Sequence, residues 1–183
     1  SEGNIVRAAI SPDGKYLTFA AKRDNGDQSI SVKQIENSAM VEIIPPEKQS
    51  VIGVTFSPDG TQIYFTTYKN PSLTGLSMGQ VFRVPMLGGT PREILADVDS
   101  PVSISPDGKQ LAFIRFLSNE KQSALMISNI EGKDEKVIAS RNMSDSFSSA
   151  GLGWSPDGKK IVCAGYVTGE IGRQMELLSV DIA

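Results

Sequence analysis

Ser105-Pro106-Asp107-Gly108-Lys109-Gln110-Leu111-Ala112-Phe113 decides the fold, because its opening tetrapeptide occurs four times in the chain. The other copies are Ser11-Pro12-Asp13-Gly14, Ser57-Pro58-Asp59-Gly60 and Ser155-Pro156-Asp157-Gly158, at intervals of 46, 48 and 50 residues. Self-similarity at a period of about 20–50 residues marks a solenoid, propeller or array whose repeats are each one supersecondary unit. The tetrapeptide has a mechanism of its own. Proline presets φ at about −65° for the first central position of a turn, aspartate tolerates the second, and glycine supplies positive φ. A serine ahead of the proline accepts a backbone hydrogen bond at such a turn.

Outward from each turn the pattern is that of strands. An apolar residue precedes every serine: Ile10, Phe56, Ile104 and Trp154. Beyond the glycine, apolar residues two apart place Leu17/Phe19, Ile63/Phe65, Leu111/Phe113 and Ile161/Cys163 on one strand face. Each tetrapeptide therefore reads as a hairpin turn. A third strand is predicted at residues 29–35, 80–85, 124–130 and 175–180, and a short fourth at 40–44, 92–95 and 135–138. Glycine breaks the alternation between them at Gly88-Gly89 and Gly132. Helical periodicity is absent.

Four turn-linked strands in each stretch of about 40–50 residues make the blade of a β-propeller. The expected fold is all-β: an array of four-stranded antiparallel blades at approximately 5–44, 51–96, 98–139 and 147–183, the last incomplete. That count reads as a fragment of a larger propeller, because an open array leaves its end faces without a neighbour. Open blade edges and apolar end faces favour self-association.

Composition narrows the function. The chain has 183 residues, 39% of them hydrophobic and 21% charged, the balance of a folded protein. Its 18 basic and 21 acidic side chains give a net charge of −3 and are scattered, so no patch points to nucleic acid or an anionic membrane. No run approaches the roughly 18 apolar residues of a spanning helix, so no membrane insertion is expected. There is no histidine, which removes the commonest general base, the commonest zinc ligand and the base of a serine triad. Cys163 is the sole cysteine and sits in an apolar run, where it reads as a small buried hydrophobe. The recurring aspartates 13, 59, 107 and 157 could be imagined as a metal ring, but each is accounted for by its turn. No catalytic residue, metal or cofactor is expected.

The repeated pattern apolar-Ser-Pro-Asp-Gly-Lys-x-apolar-x-Phe resembles the TolB-like propellers, relatives of the WD-type repeats, over essentially the whole chain. The segment Val81-Phe82-Arg83-Val84-Pro85-Met86-Leu87-Gly88-Gly89-Thr90-Pro91-Arg92, running on to Asp99-Ser100-Pro101-Val102-Ser103-Ile104-Ser105, is similar to the propeller found C-terminal to a membrane-spanning segment in certain bacterial serine/threonine kinases. No kinase hallmark is present, so this resemblance implies a sensory or scaffolding part, located in the periplasm or elsewhere outside the cytoplasm. The wider family includes cell-envelope binding platforms, substrate-gating domains of serine peptidases and, rarely, lyases. Fold alone does not choose among them.

The expected function is that of a non-catalytic module binding a protein or peptide. Its contacts are sought on the loops between second and third strands, since loops carry recognition on a rigid scaffold. The longest, residues 68–79, offers Tyr68, Leu73, Leu76 and Met78. A second candidate surface precedes the fourth blade, at residues 141–149, and offers Met143 and Phe147. Trp154 and Phe56 are expected to pack between blades.

Overall fold

The computed structural model describes residues 3–69, 79–169 and 172–182. The four turns organise fifteen strands into four antiparallel sheets, each in sequential strand order. The first contains β1 (Asn4–Ile10), β2 (Tyr16–Lys22), β3 (Gln28–Gln34) and β4 (Met40–Glu47). The second contains β5 (Gln49–Phe56), β6 (Gln62–Lys69), β7 (Gln80–Pro85) and β8 (Arg92–Ala96). The third contains β9 (Ser103–Ile104), β10 (Gln110–Leu117), β11 (Gln122–Asn129) and β12 (Lys136–Asn142). The fourth has three strands, β13 (Phe147–Trp154), β14 (Lys160–Gly169) and β15 (Gly172–Asp181). Four antiparallel blades are present as expected, the last of them with three strands. The described residues contain helix only as two single 3-10 turns, Ser118–Glu120 and Met143–Asp145.

Each Ser-Pro-Asp-Gly closes on itself in the same way. The glycine N–H donates to the serine carbonyl at 2.8–2.9 Å, and the glycine φ is 70–72° in all four copies. That value lies in the left-handed region, where a β-carbon would cost about 1–2 kcal/mol. The serine hydroxyl donates to the aspartate Oδ1 at 2.5–2.6 Å. The serine Oγ also accepts the N–H of the first residue of the next strand (Tyr16, Gln62, Gln110 and Lys160) at 2.9–3.0 Å. The aspartate also accepts the N–H of the residue after the glycine at 3.0–3.1 Å. Serine is thus donor and acceptor at once, which explains why a hydroxyl and not a methyl stands there.

The chain forms two compact units, Ser1–Ala96 and Asp97–Ala183, each a pair of sheets around its own core. In the first, Ala20, Ile30 and Val32 of one sheet pack with Phe56, Ile63 and Phe65 of the next. Phe65 stacks on Phe82 with ring centroids 5.4 Å apart. A buried polar chain adds specificity at the end of this interface. Thr67 Oγ1 donates to Gln49 Oε1 (3.1 Å), Gln49 Nε2 to the Gln28 carbonyl (3.1 Å), and the Val51 N–H to Gln28 Oε1 (2.9 Å). In the second unit, Ala112, Ile114, Leu125 and Ile127 face Phe147, Ile161 and Cys163. Trp154 packs against the same cluster and its Nε1 donates to the Ser103 carbonyl at 3.2 Å. Burial raises the Cys163 thiol pKa, so it remains an apolar filler.

The third blade departs from the pattern at its first strand, of which only Ser103 and Ile104 pair with β10. Pro101 has no N–H to give to a ladder. Side chains take over instead: Ser100 Oγ accepts the Ile114 N–H at 2.9 Å and Asp99 Oδ2 the Phe116 N–H at 2.7 Å. Burial raises the Asp99 pKa against the lowering effect of that N–H.

Candidate protein-contact surface

In every sheet the Ser-Pro-Asp-Gly turn occupies one end and the link between second and third strands the other. The turn end is chemically satisfied. Serine hydroxyls, then backbone N–H groups, hold the carboxyls of Asp13, Asp59, Asp107 and Asp157 below their ordinary pKa. One oxygen of each carboxyl, Oδ1, is engaged by the turn itself. Among the described residues, no three His, Cys, Asp or Glu side chains gather as metal ligands, and no helix is long and apolar enough to cross a membrane.

The opposite end is built differently in each blade. In the first, Gly26 closes a turn onto the Arg23 carbonyl at 2.9 Å, and Asn25 Nδ2 donates to Asp27 Oδ2 at 2.7 Å. Lys48 reaches Asp27 at 2.8 Å and, with Asn25, keeps its carboxyl pKa low. In the second blade, Tyr68 lies half-buried near the end of β6, opposite Ser50 of β5. Leu73, Leu76 and Met78 lie outside the described residues.

The second unit carries the better-defined surface. Met143, 46% exposed, opens the 3-10 turn between β12 and β13. Its N–H donates to the Lys121 carbonyl at 3.2 Å, which joins this turn to the link between β10 and β11. Two arginines fasten the turn from below. Arg141 Nε donates to the Asp145 carbonyl, and another of its nitrogens donates to the Tyr166 carbonyl at 3.3 Å. Arg173 donates to the Met143 carbonyl (3.1 Å) and to Ser146 Oγ (2.8 Å), and its guanidinium lies 4.0 Å from the Tyr166 ring centroid. Asp145 Oδ1 accepts the Thr168 N–H at 2.8 Å, and bonding to Thr168 lowers its pKa. Met143 is therefore an exposed apolar side chain on a braced support.

Phe147 corrects the sequence reading. It is 2% exposed and belongs to the core of the second unit, not to a contact surface. Its N–H donates to the buried Ser123 Oγ at 2.8 Å, and Arg141 lies over its ring at 5.9 Å. Those partners come from other strands, so the local run of serines around Phe147 gave no sign of them. Arg141 and Arg173 were missed as supports for the same reason.

Residues 1–182 match the family described as the TolB beta propeller domain. The chain belongs to that family. No curated protein matches it. Among solved structures, this TolB-family chain is similar to TolB from Acinetobacter baumannii, with 18% identity and a TM-score of 0.77 over 97% of this chain and 41% of that one. A TolB-type protein from Agrobacterium tumefaciens gives 21% identity and 0.70, over 99% and 59%. A puromycin hydrolase gives 14% and 0.66, over 95% and 26%. The chain thus spans less than two thirds of the length of each of these relatives, and identities at this level speak for the shared propeller fold.

Proposed function

We propose that this chain is a non-catalytic protein-interaction module whose surface at the end opposite the Ser-Pro-Asp-Gly turns binds a protein or peptide, as the extracytoplasmic sensor part of a bacterial serine/threonine kinase. The observation that carries the reading is the contrast between the two blade ends of the second unit. At the turn end each serine hydroxyl and aspartate Oδ1 bonds within its own turn, whereas the other end presents Met143 on a turn braced by Arg141 and Arg173. An exposed apolar side chain on a fixed support costs little ordering on binding, which suits protein recognition. Membership of the TolB propeller family supports the binding role and the extracytoplasmic location.

Crosslinking or pull-down with Met143→Asp, and separately with residues 68–79 deleted, tests the surface. Lost recovery of a partner that wild type captures supports it; recovery unchanged in both variants rejects it. A second reading, a substrate-gating propeller of a serine peptidase, draws on the likeness to a puromycin hydrolase of which the chain spans 26%. The parent gene separates the two. An upstream kinase signature followed by an apolar stretch of about 20 residues marks the sensor. A downstream Gly-x-Ser-x-Gly with later Asp and His marks the peptidase.

A further inference from the structure

Asn25-Gly26 is the sole asparagine–glycine pair in the chain, and it stands at the tip of the hairpin between β2 and β3. The turn is tight. The Gly26 N–H donates to the Arg23 carbonyl at 2.9 Å and the Arg23 N–H to the Asp27 carbonyl at 2.8 Å. Gly26 takes φ = 87°, and no heavy atom lies within 4 Å of where its β-carbon would stand. The turn therefore uses glycine for its backbone. The same choice has a chemical consequence, since no side chain shields the Gly26 nitrogen from the amide carbon of Asn25. Asn25 itself is exposed, so water reaches the pair.

Asp27 holds the amide away from that nitrogen. Its N–H donates to Asn25 Oδ1 at 3.0 Å, and its Oδ2 accepts from Asn25 Nδ2 at 2.7 Å. Lys48, the single residue between β4 and β5, fastens both from outside. Its Nζ reaches Asp27 Oδ1 at 2.8 Å and donates to the Asn25 carbonyl at 3.0 Å. The lysine side chain is 68% exposed, so this clamp is a surface contact that opens readily.

We propose that Asn25 is a self-modification site, at which the chain converts its own asparagine to aspartate and isoaspartate at a rate governed by the Asp27–Lys48 clamp. When the hairpin tip opens, hydroxide takes the Gly26 N–H proton and the nitrogen attacks Asn25 Cγ. The N–Cγ bond forms, the Cγ–Nδ2 bond breaks, and Nδ2 takes a proton from water and leaves as ammonia. Water then adds to either carbonyl of the resulting succinimide ring and breaks that carbonyl's bond to nitrogen. One opening gives aspartate and the other isoaspartate. Neither product rebuilds the clamp. The group that donated to Asp27 Oδ2 is now a carboxylate, which only accepts and carries a like charge. Isoaspartate also adds a carbon to the backbone of the turn, against the Lys22–Gln28 pairing that closes the hairpin. The change runs one way and involves no partner, so it is independent of the protein-binding reading.

Peptide mapping of the whole chain aged at mildly alkaline pH tests the site, read on the tryptic fragment 24–33 by mass and by isoaspartate methyltransferase labelling. The arms are folded wild type, folded Lys48→Ala and wild type unfolded in urea. Asn25 converts in all three, fastest in urea. Lys48→Ala converts about 2- to 5-fold faster than folded wild type, as expected from loss of one exposed ion pair. Circular dichroism checks the fold, and Lys48→Met replaces Lys48→Ala if that variant misfolds. An Asn25 that stays intact in both folded chains overturns the proposal. Equal rates in wild type and Lys48→Ala overturn it as well, as does a folded wild type that converts as fast as the chain in urea.

Discussion

The smallest determinant of this molecule is the hydroxyl of Ser11, Ser57, Ser105 and Ser155. Ser105 is 3% exposed, so its replacement by alanine leaves the Gln110 N–H without its acceptor and Asp107 without its donor. Ser105→Ala is expected to cost about 1–3 kcal/mol. In thermal denaturation that reads as a fall in melting temperature of roughly 2–10 °C for a chain of this size. The turn carboxylates set a pH dependence. Their folded pKa values lie below the ordinary 3.8, so on acidification the unfolded chain takes up protons first. The stabilisation is whole above about pH 4 and is lost as pH falls through the folded values. A chain with all four aspartates changed to asparagine is expected to show a shallower acid limb in melting temperature against pH.

At the scale of strands and loops, legibility tracks how local the cause is. The turns were readable because proline, aspartate and glycine act within four residues. The second strands were readable because Leu111 and Phe113 or Ile63 and Phe65 alternate plainly, and all four are buried. The shortening of β9 was not, because the substitution of ladder bonds by Ser100 and Asp99 requires knowing where Ile114 and Phe116 lie. Met143 and Phe147 divide the same way: four residues apart in one polar run, one is exposed and the other is core. Their variants should separate accordingly. Phe147→Ala is expected to lose about 3–5 kcal/mol in chemical denaturation. Met143→Asp should stay within about 0.5 kcal/mol of wild type while losing partner recovery in a pull-down.

For the molecule as a whole, each unit owns a core that closes between two sheets. The bookkeeping of hydrogen bonds at the Ser-Pro-Asp-Gly rim has an evolutionary corollary. The hydrogen bonds of each serine hydroxyl and aspartate Oδ1 lie inside their own repeat, so duplication or deletion of one repeat in the gene leaves them intact in its neighbours. Copy number along such a lineage is free to drift at that rim, and selection acts on it only through the greasy flanks that newly adjacent modules must share.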